Sequence, residues 1–359
     1  MFSLYGEGLR NQGLWDIIER ASALGRRMIN INGTTRGRMK ASMTNQLNVY
    51  FNHDGGVDDL VSLFMLLQMD NVHVTGVSVI PADGYLEPAT DASRKIIDRF
   101  GTYSVEVSKS NSRGKNPFPA AWRLHSFYVD ALPVLNESGK MEAPLSAVPA
   151  HQHLIEKVRN TEGKTLLLFT GPLTDLARAL DEAPDIEEKI DKLVWMGGTF
   201  ERGNVEEPEH DGTAEWNVFW DPEAAYRVWQ SGIQIDLVAL ESTNKVPLTP
   251  AVRNRWAAER RFEGVDFLGN CYAGCPPLVY SETNSTYYLW DVLTTASVGR
   301  EDIVKKKTVN CIVIPDGPSQ GRTVEQADGR PVQLVYDTDP EAFFTYMTDL
   351  GKKAAPQRY

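Results

Sequence analysis

The sequence predicts a single Rossmann-like α/β domain with a mostly parallel central sheet flanked by helices, and three observations carry that expectation. Short β-rich runs alternate with stretches of helical apolar spacing along most of the 359 residues. Several of the β-rich runs end in polar or glycine-containing turns that open directly into the next helix. These turns carry most of the chemically interesting side chains, so the candidate site falls at the C-terminal strand edge, where open α/β sheets bind ligands.

Taken in order, residues 1–45 read as an N-terminal extension, partly ordered or helical, and residues 46–359 as the domain. The extension carries Arg10, Arg20, Arg26, Arg27, Arg36 and Arg38, a faint transit-peptide pattern. Glu7, Asp16 and Glu19 argue against one, and a cytoplasmic protein is the expectation. Leu47–Phe51 is the first strand, and Leu60, Val61, Phe64, Met65 and Leu67 space the helix after it. His73–Ile80 is the second strand, followed by a turn around Asp83 and a helix over Pro88–Phe100. A short strand is expected near Tyr103–Val107. Between Ser108 and Pro149 periodicity is lost and Pro, Asn and Ser accumulate, which marks a functional or mobile loop. Trp122 lies in it. A helix over His151–Arg159, a strand over Thr165–Phe169 ending at Thr170, and a helix over Leu173–Leu180 continue the alternation. So do strand Lys192–Met196, helix Pro222–Ser231 and strand Ile235–Leu240. A helix from Tyr287 through Ala296, a strand over Thr308–Ile314 and a helix over Glu341–Leu350 close the chain.

The first turn is the densest in chemistry. Asp54, Asp58 and Asp59 follow the first strand within six residues. Asp58 and Asp59 alone could simply cap a helix, where anions complement the dipole. Asp54 at the strand end followed by Gly55 and Gly56 exceeds what capping requires. Three neighbouring carboxylates repel one another, and a hard cation such as Ca²⁺ or Mg²⁺ offsets that by taking several oxygen ligands. A phosphatase of the strand-Asp-x-Asp type would need a nucleophilic carboxylate at position 52, where this chain has Asn52.

The formal charge of −11 argues against a nucleic-acid partner, and the 37 Lys and Arg form no long run. Three cysteines, Cys271, Cys275 and Cys311, are too few for a disulfide framework and poorly arranged for zinc. No apolar run approaches the roughly 20 residues of a membrane span. Asn-x-Ser/Thr triplets at Asn32, Asn136 and Asn284 carry little weight without a secretory signal.

Asp54-Gly-Gly-Val-Asp58-Asp59 resembles the aspartate motif of the nucleoside hydrolases. Asn116-Pro-Phe-Pro to Trp122-Arg, Thr170-Gly-Pro-Leu, Met196-Gly-Gly, Asp211-Gly-Thr-Ala-Glu-Trp-Asn217 and Tyr287-Tyr to Trp290-Asp291 resemble the purine-specific, inosine-adenosine-guanosine branch, in family order along nearly all of the domain. The resemblance implies one Ca²⁺ held by the carboxylates of Asp54, Asp59 and Asp291 and the backbone carbonyl of Thr170. Asp54 is then the general base for a water that attacks the anomeric carbon directly, through an oxocarbenium-like transition state. Asp58, Asn204, Glu215 and Asn217 would grip the ribose hydroxyls with Met196 beneath the sugar. Asp83, Trp122 and Trp290 would contact the base, the two indoles stacking on it. A purine ribonucleoside substrate and a homodimer are implied with it.

Three positions depart from the branch. Asn52 stands where the family usually has Asp, Gly56 where the branch tends to carry Asn, and Glu282 where a basic residue is expected. Pyrimidine-preferring relatives use a histidine on the late loop, and Tyr287, Tyr288 and Trp290 here are accompanied by none. The alternatives are a hydrolase of broad or pyrimidine-preferring specificity, or a non-catalytic nucleoside-binding protein on the same fold.

Overall fold

The computed structural model describes residues 46–274 and 287–354. The extension 1–45, Cys275, Glu282 and the Asn32 and Asn284 triplets lie outside the described residues. Among the described residues nine strands form one sheet: β1 Leu47–His53, β2 Val72–Val79, β3 Val107–Lys109, β4 Thr165–Phe169, β5 Ile190–Met196, β6 Ile235–Val238, β7 Val304–Val313, β8 Thr323–Glu325 and β9 Arg330–Thr338. Their order is β3-β2-β1-β4-β5-β6-β9-β7-β8. Every pairing from β3 across to β9 is parallel, and β7 pairs antiparallel with both β9 and β8.

Strand side chains alternate between two cores. Val49, Phe51, Leu166, Leu168 and Val194 face one core with the helices Val57–Gln68, Leu86–Phe100, Trp290–Gly299 and Pro340–Lys353. Tyr50, Leu167, Phe169, Leu193 and Trp195 face the other, with Ala150–Asn160, Thr174–Glu182 and Pro222–Trp229. Burial on both faces explains why β4 is a continuous apolar run with all five residues buried. The chain crosses from β1 to β2 in one direction and later returns to place β4 on the other side of β1. That reversal opens a crevice beyond the carboxyl ends of β1 and β4.

The structure amends the sequence reading in places. The third strand is Val107–Lys109 rather than Tyr103–Val107, because only those residues reach the ladder on Val77–Val79 of β2. The segment expected to be irregular holds a tight turn at Trp122–Leu124 and short helices at His125–Asp130 and Pro133–Asn136. The late helix starts at Trp290 rather than Tyr287. The helices Pro250–Ala258 and Glu263–Gly274 and the strands β8 and β9 were not anticipated. No helix among the described residues is long and apolar enough to cross a membrane.

Candidate active site

A cavity of about 450 Å³ opens at the β1/β4 crevice. Eleven of the twelve residues singled out from sequence line it: Asp54, Asp58, Asp83, Trp122, Thr170, Met196, Asn204, Glu215, Asn217, Trp290 and Asp291. Asp59, the twelfth, is fully buried beside them. Most arrive at the end of an element. Asp54 follows β1, the turn after β2 brings Asp83, Thr170 follows β4, Met196 ends β5 and Asp291 opens the helix Trp290–Gly299. The strand ends are tied together: the Thr170 amide donates to the Asn52 carbonyl at 3.0 Å, and the Asp83 amide to Asp54 Oδ2 at 3.2 Å.

The carboxylates converge closely. Oxygens of Asp58, Asp59 and Asp291 all lie within 4.8 Å of one another. That tightest trio contains Asp58 where the expected ligand set has Asp54. The difference arises because Asp58 accepts from the Asp291 backbone amide at 3.4 Å and from the Tyr287 hydroxyl at 3.0 Å, which draws it towards the late helix. Asp59 accepts from the Gly56 amide at 2.7 Å and from the Thr170 hydroxyl, so the capping role and the cluster role coexist in one side chain. Burial, then the charges of Asp59 and Asp83, push Asp54 well above the usual carboxylate range. Burial, then Asp58, Asp59 and Asp54, do the same to Asp291, and burial raises Asp59 to about 7.

Among the described residues no Lys, Arg or His forms an ion pair with Asp54, Asp58, Asp59 or Asp291. Four buried carboxylates without a cationic side chain are a costly arrangement unless a cation completes it. The donor set, all hard oxygen, fits a divalent cation of the Ca²⁺ or Mg²⁺ kind.

Gly56 lies directly against the converging carboxylate ends. A Cβ there would lie 2.6 Å from Asp83 Oδ2, 3.0 Å from Asp59 Oδ2 and 3.2 Å from Asp58 Oδ1. If the cluster holds a divalent cation such as Ca²⁺, Gly56→Ala is expected to push the carboxylate ends apart and weaken its binding about tenfold, the equivalent of ~1.4 kcal/mol. Calorimetric titration with CaCl₂ checks this, and an unchanged Kd would show that the cluster does not need the close approach.

The remaining polar residues hold one another. Glu215 accepts from the amides of Asn217 at 2.9 Å, Gly198 at 3.0 Å and Val218 at 3.3 Å, capping the helix Trp216–Trp220. Burial raises its pKa to about 7 despite those bonds. Asn217 Nδ2 donates to the carbonyl of Thr170 at 3.0 Å and to that of Met196 at 3.1 Å. Asn204 Oδ1 accepts from the Trp216 amide at 3.1 Å. Asn52 is fully buried under the site, donating to Ser78 Oγ at 2.8 Å and Asp175 Oδ2 at 3.4 Å. An aspartate at 52 would face the buried Asp175 carboxylate as a like charge, so the amide suits this chain.

The aromatic walls are broader than the sequence indicated. Phe118, His125, Trp216 and Tyr287 line the cavity, and Glu206 sits at it too. Trp122 is 39 % exposed and packs edge-on against Trp216, with centroids 5.5 Å apart. Trp290 packs on Tyr287 at 5.1 Å. Among the described residues no ring contact joins Trp122 to Trp290. Phe118, Trp216 and Tyr287 lie inside motifs already singled out, whereas His125 had no motif to reveal it.

The sequence pattern of inosine-uridine preferring nucleoside hydrolases matches residues 49–345. The chain belongs to the nucleoside hydrolase family. The crystal structure of an inosine-uridine preferring nucleoside hydrolase from Bacillus anthracis is 67% identical, with a TM-score of 0.82, and covers 86% of this chain and 100% of that one. An inosine-uridine preferring nucleoside hydrolase of Leishmania major is 29% identical over 205 residues, 56% of this chain and 63% of that protein. The match thus spans just under two-thirds of that curated relative. A purine-preferring ribonucleoside hydrolase from Gardnerella vaginalis, at 23% identity and TM-score 0.70 over 85% of this chain and 99% of that one, shares the nucleoside hydrolase fold.

Proposed function

We propose that this protein hydrolyses the N-glycosidic bond of ribonucleosides, purine ribonucleosides foremost, to free base and ribose. The observation that carries the reading is the buried cluster of Asp54, Asp58, Asp59 and Asp291 at one end of an aromatic-walled cavity. Asp54, Asp59, Asp291 and the Thr170 carbonyl would hold a Ca²⁺, with Asp58 close enough to join them. When bound, the ion offsets the carboxylate charges and gives the sugar diol a hard Lewis acid. Asp54, once ionised beside the bound cation, would take the proton from the attacking water, burial making its carboxylate a stronger base than a free one. Asp58, Asn204, Glu215 and Asn217 orient the ribose hydroxyls over Met196. A site built from such polar groups rejects a sugar lacking a hydroxyl, because its buried partners would be left unpaired. Trp122, Trp290 and Asp83 face the base, and stacking favours an electron-poor leaving purine.

A broad purine and pyrimidine specificity is the second reading, favoured by the inosine-uridine preference of the Bacillus anthracis relative. The test is release of base and reducing sugar from inosine, guanosine, adenosine, uridine and deoxyinosine. Expected are Ca²⁺-dependent release from the purine ribonucleosides, at least about tenfold slower release from uridine, and little from deoxyinosine. Equal rates on uridine would establish the broad reading. No release from any of them, with nucleoside still bound, would make this a binding protein. A homodimer and a cytoplasmic location complete the proposal, and sedimentation and cell fractionation test them.

A further inference from the structure

His125 opens the short helix that follows the Trp122 turn, and its side chain projects into the cavity wall rather than towards solvent. It is only 4 % exposed. Neither ring nitrogen has a hydrogen-bond partner among the described residues. Asp83 lies beside it, with Nδ1 and Oδ2 4.0 Å apart, beyond hydrogen-bond reach. The ring of Tyr287 stands edge-on to it at 6.3 Å. Buried polar atoms are nearly always paired with protein, water or ligand, and two unmet nitrogens facing a cavity are free to pair with what enters it.

We infer that His125 is a recognition residue for the nucleobase, hydrogen-bonding the base edge from the wall that also carries Asp83 and Tyr287. The inference rests on the nucleoside reading above and deepens it. Burial pushes the imidazole pKa down to about 4, so at neutral pH the ring is uncharged, with one donor and one acceptor nitrogen. Such a ring suits a base, whose ring nitrogens and exocyclic groups present both acceptors and donors. It suits the sugar end poorly, where the carboxylates already supply the acceptors. His125 lies outside residues 287–291, so the late loop lacks a histidine while the cavity does not.

The test compares nucleosides with p-nitrophenyl riboside, whose leaving group departs as a stable anion and offers no base edge. Wild type, His125→Phe and His125→Gln are assayed with inosine, adenosine, uridine and the riboside at saturating Ca²⁺, and thermal midpoints are recorded. Expected is a fall in kcat/KM of about 10- to 100-fold for His125→Phe on nucleosides. The riboside should stay within about threefold, with partial recovery on nucleosides in His125→Gln, which keeps a donor and an acceptor. Equal loss on all substrates, or loss on none, overturns the inference while leaving the hydrolase reading intact. A wild-type protein that releases no base from any nucleoside but cleaves the riboside overturns both.

Discussion

Asp54→Asn is expected to lower kcat on inosine by about 10²- to 10⁴-fold at saturating Ca²⁺, the range that removal of a general base, the role proposed for Asp54, produces. The substitution keeps the shape of the side chain and the acceptor for the Asp83 amide, 3.2 Å away, so the turn after β1 survives. What it removes is the group able to take a proton from water, and a negative charge from the cluster. The two losses separate by titration. A weaker Ca²⁺ site is recovered by raising the ion concentration, whereas the missing base is not. KM for inosine should therefore change far less than kcat once Ca²⁺ saturates. A variant within tenfold of wild type under those conditions would show that the base lies elsewhere, with Asp58 and Asp291 the next residues to replace.

Cation removal has the second large effect, and its sign depends on pH. Asp59 and Glu215 have folded-state pKa values of about 7, raised by burial from ordinary carboxylate values near 4. Between those values the folded chain holds protons that the unfolded chain has released. Stability of the metal-free protein therefore falls as pH rises through that window. Asp54, Asp83 and Asp291, also raised well above the usual carboxylate range by burial and by their acidic neighbours, act in the same direction. In excess chelator the thermal midpoint is thus expected to be higher at pH 5 than at pH 8. With Ca²⁺ present the order reverses, because the ion binds the ionised cluster and protons compete with it. A midpoint in chelator that rises from pH 5 to 8 would mean that the carboxylates find their compensation within the chain.

The fold was legible where local pattern and tertiary environment agree. The run Leu166–Phe169 reads as a strand because both its faces are buried, and the Asp54–Asp59 turn reads as a site because its charge density exceeds what capping needs. Boundaries failed where pairing decides them: nothing local distinguishes Tyr103 from Val107, and only the reach of β2 sets where β3 begins. β9 escaped notice because its apolar residues alternate irregularly and Pro331 near its start mimics a loop. The candidate site was readable at charged and motif-bearing positions. Trp122 and Trp290 were readable with them, and Phe118, Trp216 and Tyr287 lay inside the same motifs; His125 was not, since a lone histidine after a loop carries no spacing signal. Asp58 shows the other limit. Its place in the Asp54–Asp59 turn marks it as part of a charged cluster, and only the docking of the Trp290 helix brings it to Asp291.

That docking has a bearing on how the chain is made. Asp58 and the amide of Asp291 that bonds to it are 233 residues apart. During synthesis the N-terminal aspartates emerge early, but the pocket for the ion closes only after the segment around residue 291 has left the ribosome and settled against the first helix. Ion capture is then among the last events of maturation. A prematurely terminated or half-assembled polypeptide would lack the completed carboxylate cluster, and affinity for the proposed cation would distinguish finished molecules from unfinished ones.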